Sequence, residues 1–141
     1  MKLKLEDPIP KPSLLNGWAQ KTSIEIQSWE GIVSEPRGAD SDLTQVTGVN
    51  FHFGEHEIGH IHLDGEIHVT LTKELSKAIV SAKIAQPFPW GDDAMIQCLI
   101  TNEKSMEVAL WLFRFGYDQL RGTSDNELKM RITERFNIIN H

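Results

Sequence analysis

The sequence predicts an α+β domain: an antiparallel sheet of about five strands, with a three-strand meander, covered on one face by two to four helices. Three observations support this class. Apolar and polar residues alternate over residues 49–71, as in strands with one buried face, and turn signals divide the segment into three. Lys73–Lys83 and Lys104–Arg121 carry apolar residues at helical spacing. Strands and helices do not alternate strictly, which favours α+β over a parallel α/β arrangement.

Length and composition indicate one globular domain. The chain has 141 residues, of which 40% are hydrophobic and 24% charged, enough to bury one core. Residues 1–13 contain three prolines and predict an extended N-terminal lead-in. We therefore expect residues 14–141 to form the single α+β domain.

The charge pattern argues against two classes of partner. The net charge is −6 and there is no basic block, so neither nucleic acid nor an anionic membrane is an expected partner. No apolar run is long enough to cross a bilayer, and the N-terminus lacks the apolar stretch of a signal peptide. The sequence thus predicts a cytoplasmic protein.

Before the meander, the sequence predicts one helix, one strand and a loop. Leu14–Trp29 can form a helix that packs apolar residues inward, with Thr22 or Ser23 as its cap. Gly31–Glu35 is a first strand by its apolar residues. Pro36–Ser41 reads as a loop because of its proline, glycine and aspartate.

After the meander, a proline-rich segment separates the first long helix from another strand. Pro87–Gly91 predicts a rigid loop, and the apolar run Ala94–Thr101 predicts a central strand. Cys98 lies in that run, so it is expected to be a buried small residue and not a nucleophile. Ser124-x-x-Glu127 is a capping box for a last helix. The apolar stripe of that helix, Leu128–Ile139, packs against the domain or a second copy, so a homodimer is a candidate assembly.

Five of the six histidines lie between residues 52 and 68, and the turn lengths decide which of them share a face. A two-residue turn at Asp64-Gly65 would mix imidazoles and aliphatic residues on both faces. A three-residue loop at 64–66 instead places all the aliphatic residues on one face and His62 opposite His68, which binary patterning favours.

A loop at 54–56 continues that pattern into the preceding strand. It places His52 opposite Ile58 and Asn50 opposite His60, with Glu57 and Glu66 on the other side of the sheet. The predicted ligand-binding residues are therefore four histidines on one face and a tryptophan in the following loop: His52, His60, His62, His68 and Trp90.

Three uses of this face remain open from the residues alone. His60 and His62 are two residues apart on a strand, about 6.5 Å, so both can ligate one divalent metal ion, with His68 as a third ligand. An organic ligand or a haem is the second use, with one imidazole as axial ligand. The third is a solvated polar face without a site. Trp90 either forms a wall of the pocket or packs on the domain.

The segment Glu57-Ile-Gly-His-Ile-His-Leu-Asp-Gly, preceded by Phe51-His-Phe-Gly, resembles the luciferase-domain family, a group of small bacterial proteins of mostly unknown function that also includes fungal luciferase. The likeness extends upstream to Ser28–Ile32 and downstream through Pro87, Ala94–Thr101 and Ala109–Tyr117, so that it covers roughly residues 23–120. Two positions depart from the family pattern: His68 stands where relatives have an acidic residue, and Phe88-Pro89 where they have a histidine pair.

The resemblance implies a site and a reaction class. Fungal luciferase oxidises a polyphenolic pyrone with molecular oxygen and is not known to need a metal or flavin. By that likeness, His60 would act as a base and His62 as an oxyanion-stabilising donor, or the reverse.

The expected function is accordingly that of a small-molecule-binding domain, and the resemblance implies a cofactor-independent oxidase of the luciferase-domain family. A non-enzymatic haem or tetrapyrrole binder and an interaction module without a ligand site are the alternatives. The sequence identifies neither the ligand nor a reaction.

Overall fold

The computed structural model describes Leu15, residues 17–39 and residues 42–139. The predicted lead-in at residues 1–13 lies outside the described residues. In chain order the elements are α1 (Gly17–Gln27), β1 (Ile32–Ala39), β2 (Asp42–Phe53), β3 (His56–His62), β4 (Glu66–Thr70), α2 (Lys73–Ser81), β5 (Gln86–Pro87), β6 (Met95–Leu99), α3 (Glu103–Leu120) and α4 (Asp125–Ile139).

The strands form one antiparallel sheet in the order β1-β2-β3-β4-β6-β5. The predicted α+β class and the three-strand meander β2-β3-β4 are confirmed. The sheet has six strands, because the predicted loop after α2 includes the two-residue strand β5. β6 was expected to be central, but only this short strand separates it from the sheet edge.

One face of the sheet carries the core. Its inward side chains are aliphatic or aromatic and fully buried: Val49, Phe51, Ile61, Ile67, Val69 and Ile96. Helix α3 crosses this face, and the ring of Phe113 meets that of Phe51 edge-on at 5.5 Å. Gly116 lets the helix approach closely, because a Cβ there would lie 3.1 Å from Val69. The opposite face of the sheet is therefore not covered by this helix packing.

The first helix and first strand differ from their predictions. Helix α1 begins at Gly17, so Thr22 and Ser23 lie inside it, fully buried, and neither is the cap. The Thr22 hydroxyl donates to the carbonyl of Trp18, one turn earlier. Strand β1 continues through Pro36, where a loop was expected, because an edge strand tolerates a residue without an N–H donor.

The later helices match the sequence prediction closely, and side chains cap them. The Thr72 hydroxyl accepts from Leu75 N at α2, Asn102 and Ser105 form a capping box at α3, and Ser124 accepts from Glu127 N at α4. On the last helix Leu128 and Ile132 are buried within the chain, whereas Phe136 is 40% exposed. Among the described residues, no helix has the length and apolar character to cross a bilayer.

Candidate functional site: a histidine cluster flanked by carboxylates

The pairing of β3 with β4 brings two buried histidines face to face. His60 lies directly opposite His68, and Ile61 opposite Ile67. The predicted pairing of His62 with His68 is wrong by two residues, because the turn occupies residues 63–65 and Gly65 N donates to the carbonyl of His62. A shift of two residues keeps each side chain on its face, so the aliphatic and histidine faces are those expected.

A bulge in β3 adds a carboxylate to this face. Phe51 lies opposite Gly59, as predicted, but His52 lies opposite Glu57, which leaves Ile58 as an extra residue in the strand. The bulge turns Ile58 into the core, where it is fully buried. Glu57 consequently lies beside the histidines and not on the other side, as the sequence had suggested.

Glu66 also lies on the histidine face, contrary to prediction. The β3–β4 turn ends one residue earlier than expected, so Glu66 is the first residue of β4 and shares a side of the strand with His68. The two misplaced residues, Glu57 and Glu66, are the acidic groups that the sequence prediction of the site lacked.

Three imidazoles converge on one point of this face. We call His60, His62 and His68 the histidine cluster. Nε2 of His60 lies 2.8 Å from Nδ1 of His68, and Nε2 of His62 lies 3.3 Å from the same atom. The planes of the three rings are inclined at 76–87° to one another. His60 and His68 are 5% and 4% exposed, whereas His62 is half-buried.

The outer ring nitrogens of the two buried histidines face acceptors. Nε2 of His68 lies 2.9 Å from Oε1 of Glu66 and 3.3 Å from Oε1 of Gln97. Nδ1 of His60 is buried, makes no hydrogen bond to the described residues, and lies 3.5 Å from Oε2 of Glu57. An ionised carboxylate only accepts, so these contacts favour a proton on the outer nitrogen of each ring and a lone pair on the inner one.

The electrostatics favour neutral imidazoles at His62 and His68 and an ionised Glu57. Burial, and then the neighbouring His60 and His68, lower the pKa of His62. Burial and then His60 also lower the pKa of His68, against the opposite effects of Glu66 and Gln97. The contact with His60 is the main cause that lowers the pKa of Glu57. Near neutral pH, His62 and His68 therefore present unprotonated nitrogens.

Nitrogen lone pairs that converge at these distances are stabilised by a cation between them. Two lone pairs 2.8 Å apart repel unless a proton or a metal ion lies near both. Nitrogens bound to one zinc-like ion lie about 3.0–3.4 Å apart, given metal–nitrogen distances near 2.1 Å. One potential ligand atom from each of His60, His62 and His68 falls within 4.8 Å of the others. The donor set and its spacing fit a divalent metal ion.

Gly59, the glycine of the family motif, explains why β3 and β4 can approach each other so closely. Gly59 precedes His60 and lies opposite Val69. A Cβ at Gly59 would lie 2.2 Å from the carbonyl oxygen of His68 and 3.0 Å from the ring of Phe113. Any side chain at this position would push β4 away from β3, and with it His68 away from His60.

The remaining predicted site residues lie outside the cluster. His52 shares the face, but its Nε2 pairs with Oε1 of Glu35 at 2.9 Å. Trp90 is 77% exposed and meets Phe88 edge-on at 5.5 Å. Phe88, which stands where the family pattern has a histidine pair and which was a candidate haem contact together with Trp90, meets His68 edge-on at 4.9 Å. Its aromatic character beside two prolines was the available signal.

A cleft at the sheet edge adjoins the outer side of His68. Its volume is about 750 Å³, and its lining includes Glu66, Gln97, Lys83 and Cys98. Burial raises the pKa of Cys98 to about 12, which agrees with the expectation that this thiol is not a nucleophile. The cleft contacts the acceptors of His68 but not the converging nitrogens.

Fold and site together define a small α+β domain with an imidazole cluster on the sheet face away from the helices. The family model of the luciferase domain matches residues 55–116, which contain β3, β4 and the cluster. This match supports the likeness to the luciferase-domain family predicted from the sequence. The upstream likeness at Ser28–Ile32 lies outside the matched segment and stays a prediction. No curated protein and no solved structure gives a significant match. The family match and the histidine cluster are compatible with a ligand-binding role.

Proposed function

We propose that this chain is a metal-dependent small-molecule-binding protein, which holds one divalent transition-metal ion on the histidine cluster. The observation that carries the proposal is the convergence of three inner nitrogens, at 2.8 and 3.3 Å, while carboxylates face the outer nitrogens. Neutral imidazole suits zinc, iron, copper and nickel, whereas magnesium and calcium prefer oxygen donors.

The surrounding residues have defined parts in this proposal. Glu66 and Gln97 orient His68, and Glu57 orients His60, so that each ring directs its lone pair inward. His62 is the most exposed of the three and borders the side from which a ligand enters. Bound at such a centre, a metal ion with three protein ligands would polarise an oxygen donor of that ligand.

An organic ligand would approach beside the aromatic pair Phe88 and Trp90. Trp90 is largely exposed. Its ring contacts that of Phe88, which in turn contacts His68. An exposed tryptophan next to polar groups is typical of recognition surfaces. The family likeness makes oxidation of that ligand by molecular oxygen the first reaction to test.

The burial of the cluster disfavours two other functions. In a cofactor-independent oxidase, His60 would offer a basic nitrogen to substrate, but its inner nitrogen faces His68 and its outer one is buried. A haem would need an accessible axial imidazole, and only His62 of the cluster has substantial exposure. A Soret band that appears with hemin and disappears in His62→Ala would favour the haem alternative over the metal centre.

Elemental analysis of untagged protein tests the proposal directly. We expect about one equivalent of zinc, iron or another transition metal after purification or after reconstitution. A double variant, His60→Gln with His62→Gln, should lower the affinity for zinc more than the loss of a residue that only orients a ligand does, which is roughly 10- to 100-fold. Chelator competition measures this affinity.

His56→Gln is the matched control, because His56 is an exposed histidine at the start of the same strand. It should bind zinc like the unsubstituted protein. Equal zinc affinity in the double variant and in this control would exclude the proposed centre. Circular dichroism checks that the double variant is folded.

A further inference from the structure

Arg37 is a half-buried cation on the histidine face. In the part of the chain that the structure describes, no carboxylate oxygen lies within 4.0 Å of its guanidinium. Among the same residues, its side chain donates a hydrogen bond from Nη1 to the neutral Oδ1 of Asn50, at 3.2 Å. By contrast, Glu35, Glu57 and Glu66 each lie against a histidine.

The strand pairing places Arg37 in line with the histidine cluster. Arg37 lies opposite Gly48, and Gly48 lies opposite His62. Two strand spacings put the Cα atoms of Arg37 and His62 about 10 Å apart. Gly48, which lies between them, has no side chain and is itself buried. A Cβ at Gly48 would lie 2.2 Å from the carbonyl oxygen of Ile61, so the residue cannot be enlarged without displacing β3.

Asn50 fixes the guanidinium toward the cluster. It accepts the Arg37 hydrogen bond and lies directly opposite His60 in the β2–β3 pairing. This hydrogen bond uses one N–H of a guanidinium that carries five, so further N–H groups of Arg37 can bind a ligand beside His62.

We propose that the ligand of this site is a small organic anion whose carboxylate is held by Arg37, across Gly48 from His62 of the metal-bound histidine cluster. This inference rests on the proposed function. Guanidinium binds carboxylate through two parallel hydrogen bonds, and the interaction is stronger where both groups are partly withdrawn from water. The net charge of −6 and the three flanking glutamates repel anions from the rest of the face. Arg37 thus selects both the charge and the orientation of the ligand.

Cobalt(II)-loaded protein with benzoate as the probe tests the inference: the visible spectrum of cobalt shows that the metal is bound, and isothermal titration calorimetry measures the benzoate affinity. Benzoate should bind saturably, whereas benzyl alcohol, which has the same ring without the charge, should bind at least about tenfold more weakly. Arg37→Gln should lower the affinity for benzoate at least about tenfold, and its affinity for cobalt should stay within about twofold of that of the unsubstituted protein. Arg37→Lys should restore only part of the affinity, because ammonium lacks the planar fork.

Arg121→Gln is the matched control, since it removes an equal charge from a half-exposed arginine on the segment after α3, where it lies near Asp118. It should leave benzoate binding unchanged. Equal benzoate affinity in Arg37→Gln and the unsubstituted protein, or no benzoate response at all, overturns the inference while the metal centre stands. Failure of cobalt to bind overturns the proposed function and the inference together.

Discussion

Nε2 of His60 and Nδ1 of His68 lie 2.8 Å apart, with both rings buried and Glu57 and Glu66 on their outer sides. Two neutral rings in this arrangement can share one proton or bind one metal ion. A proton satisfies only this pair. The third nitrogen, from His62 at 3.3 Å from the same atom of His68, completes the three-imidazole donor set of the proposed metal centre.

Neutralising Glu66 should weaken metal binding without removing a ligand. Oε1 of Glu66 lies 2.9 Å from Nε2 of His68 and favours a proton there, which raises the basicity of Nδ1. We expect Glu66→Gln to reduce zinc affinity about 10- to 100-fold, measured by chelator competition. Glu35→Gln removes an equivalent carboxylate that pairs with His52, outside the cluster, and should change zinc affinity less than about twofold. Equal effects of the two substitutions would contradict an orienting part for Glu66.

Acid should destabilise the metal-free protein through the cluster. Burial holds the pKa values of His62 and His68 below the usual 6.5, so the folded state binds these protons less readily than the unfolded state. Their contribution to stability is present above about pH 6.5 and is lost as the pH falls through the lower folded values.

Urea denaturation of metal-free protein at pH 7.5 and pH 5 measures this effect. The free energy of unfolding should decrease more over this interval in the unsubstituted protein than in a His62→Gln, His68→Gln double variant. His56→Gln, which removes an exposed histidine, should keep the full decrease. An identical pH dependence in the double variant would show that the cluster does not cause it.

Cys98 should resist alkylation in the folded protein. With a pKa of about 12, about one thiol in ten thousand is ionised at pH 8, and the thiolate is the reactive form. Iodoacetamide should therefore label the unfolded chain far faster than the native one, followed by mass spectrometry. Rapid labelling of native protein would indicate that the edge cleft gives the thiol a polar, accessible setting.

The sequence predicted which histidines share a face but not how they meet. Period-two patterning determines the face of His60, His62 and His68, and a register error of two residues leaves this unchanged. The same error changes the partner of His68 from His62 to His60. Only a turn one residue earlier, with Gly65 at a φ of 95°, produces the observed pair.

The acidic groups of the site could not be predicted, because they depend on an interruption of the alternation. The bulge at Ile58 reverses the side of the sheet on which Glu57 lies. The local sequence does not indicate the bulge, because Ile58 is apolar and the alternation of polar and apolar residues looks the same with or without it. Arg37 was missed for a related reason. Pro36 made its segment resemble a loop, whereas an edge strand accommodates the proline and aligns Arg37 with Gly48.

Gly59→Ala should destabilise the fold and the metal centre together. The added Cβ would lie 2.2 Å from the carbonyl oxygen of His68, a backbone atom that can move only if β4 moves. We expect the free energy of unfolding to fall by at least about 1–3 kcal/mol, as for other overpacked sites, and zinc affinity to fall with it. Gly17→Ala is the control: a Cβ there meets nothing within 4 Å, at the start of α1, so stability should be unchanged or up to about 1 kcal/mol higher. Urea denaturation and chelator competition measure both quantities. If Gly59→Ala kept native stability and zinc affinity, the close approach of the two strands would not be what brings His60 and His68 together.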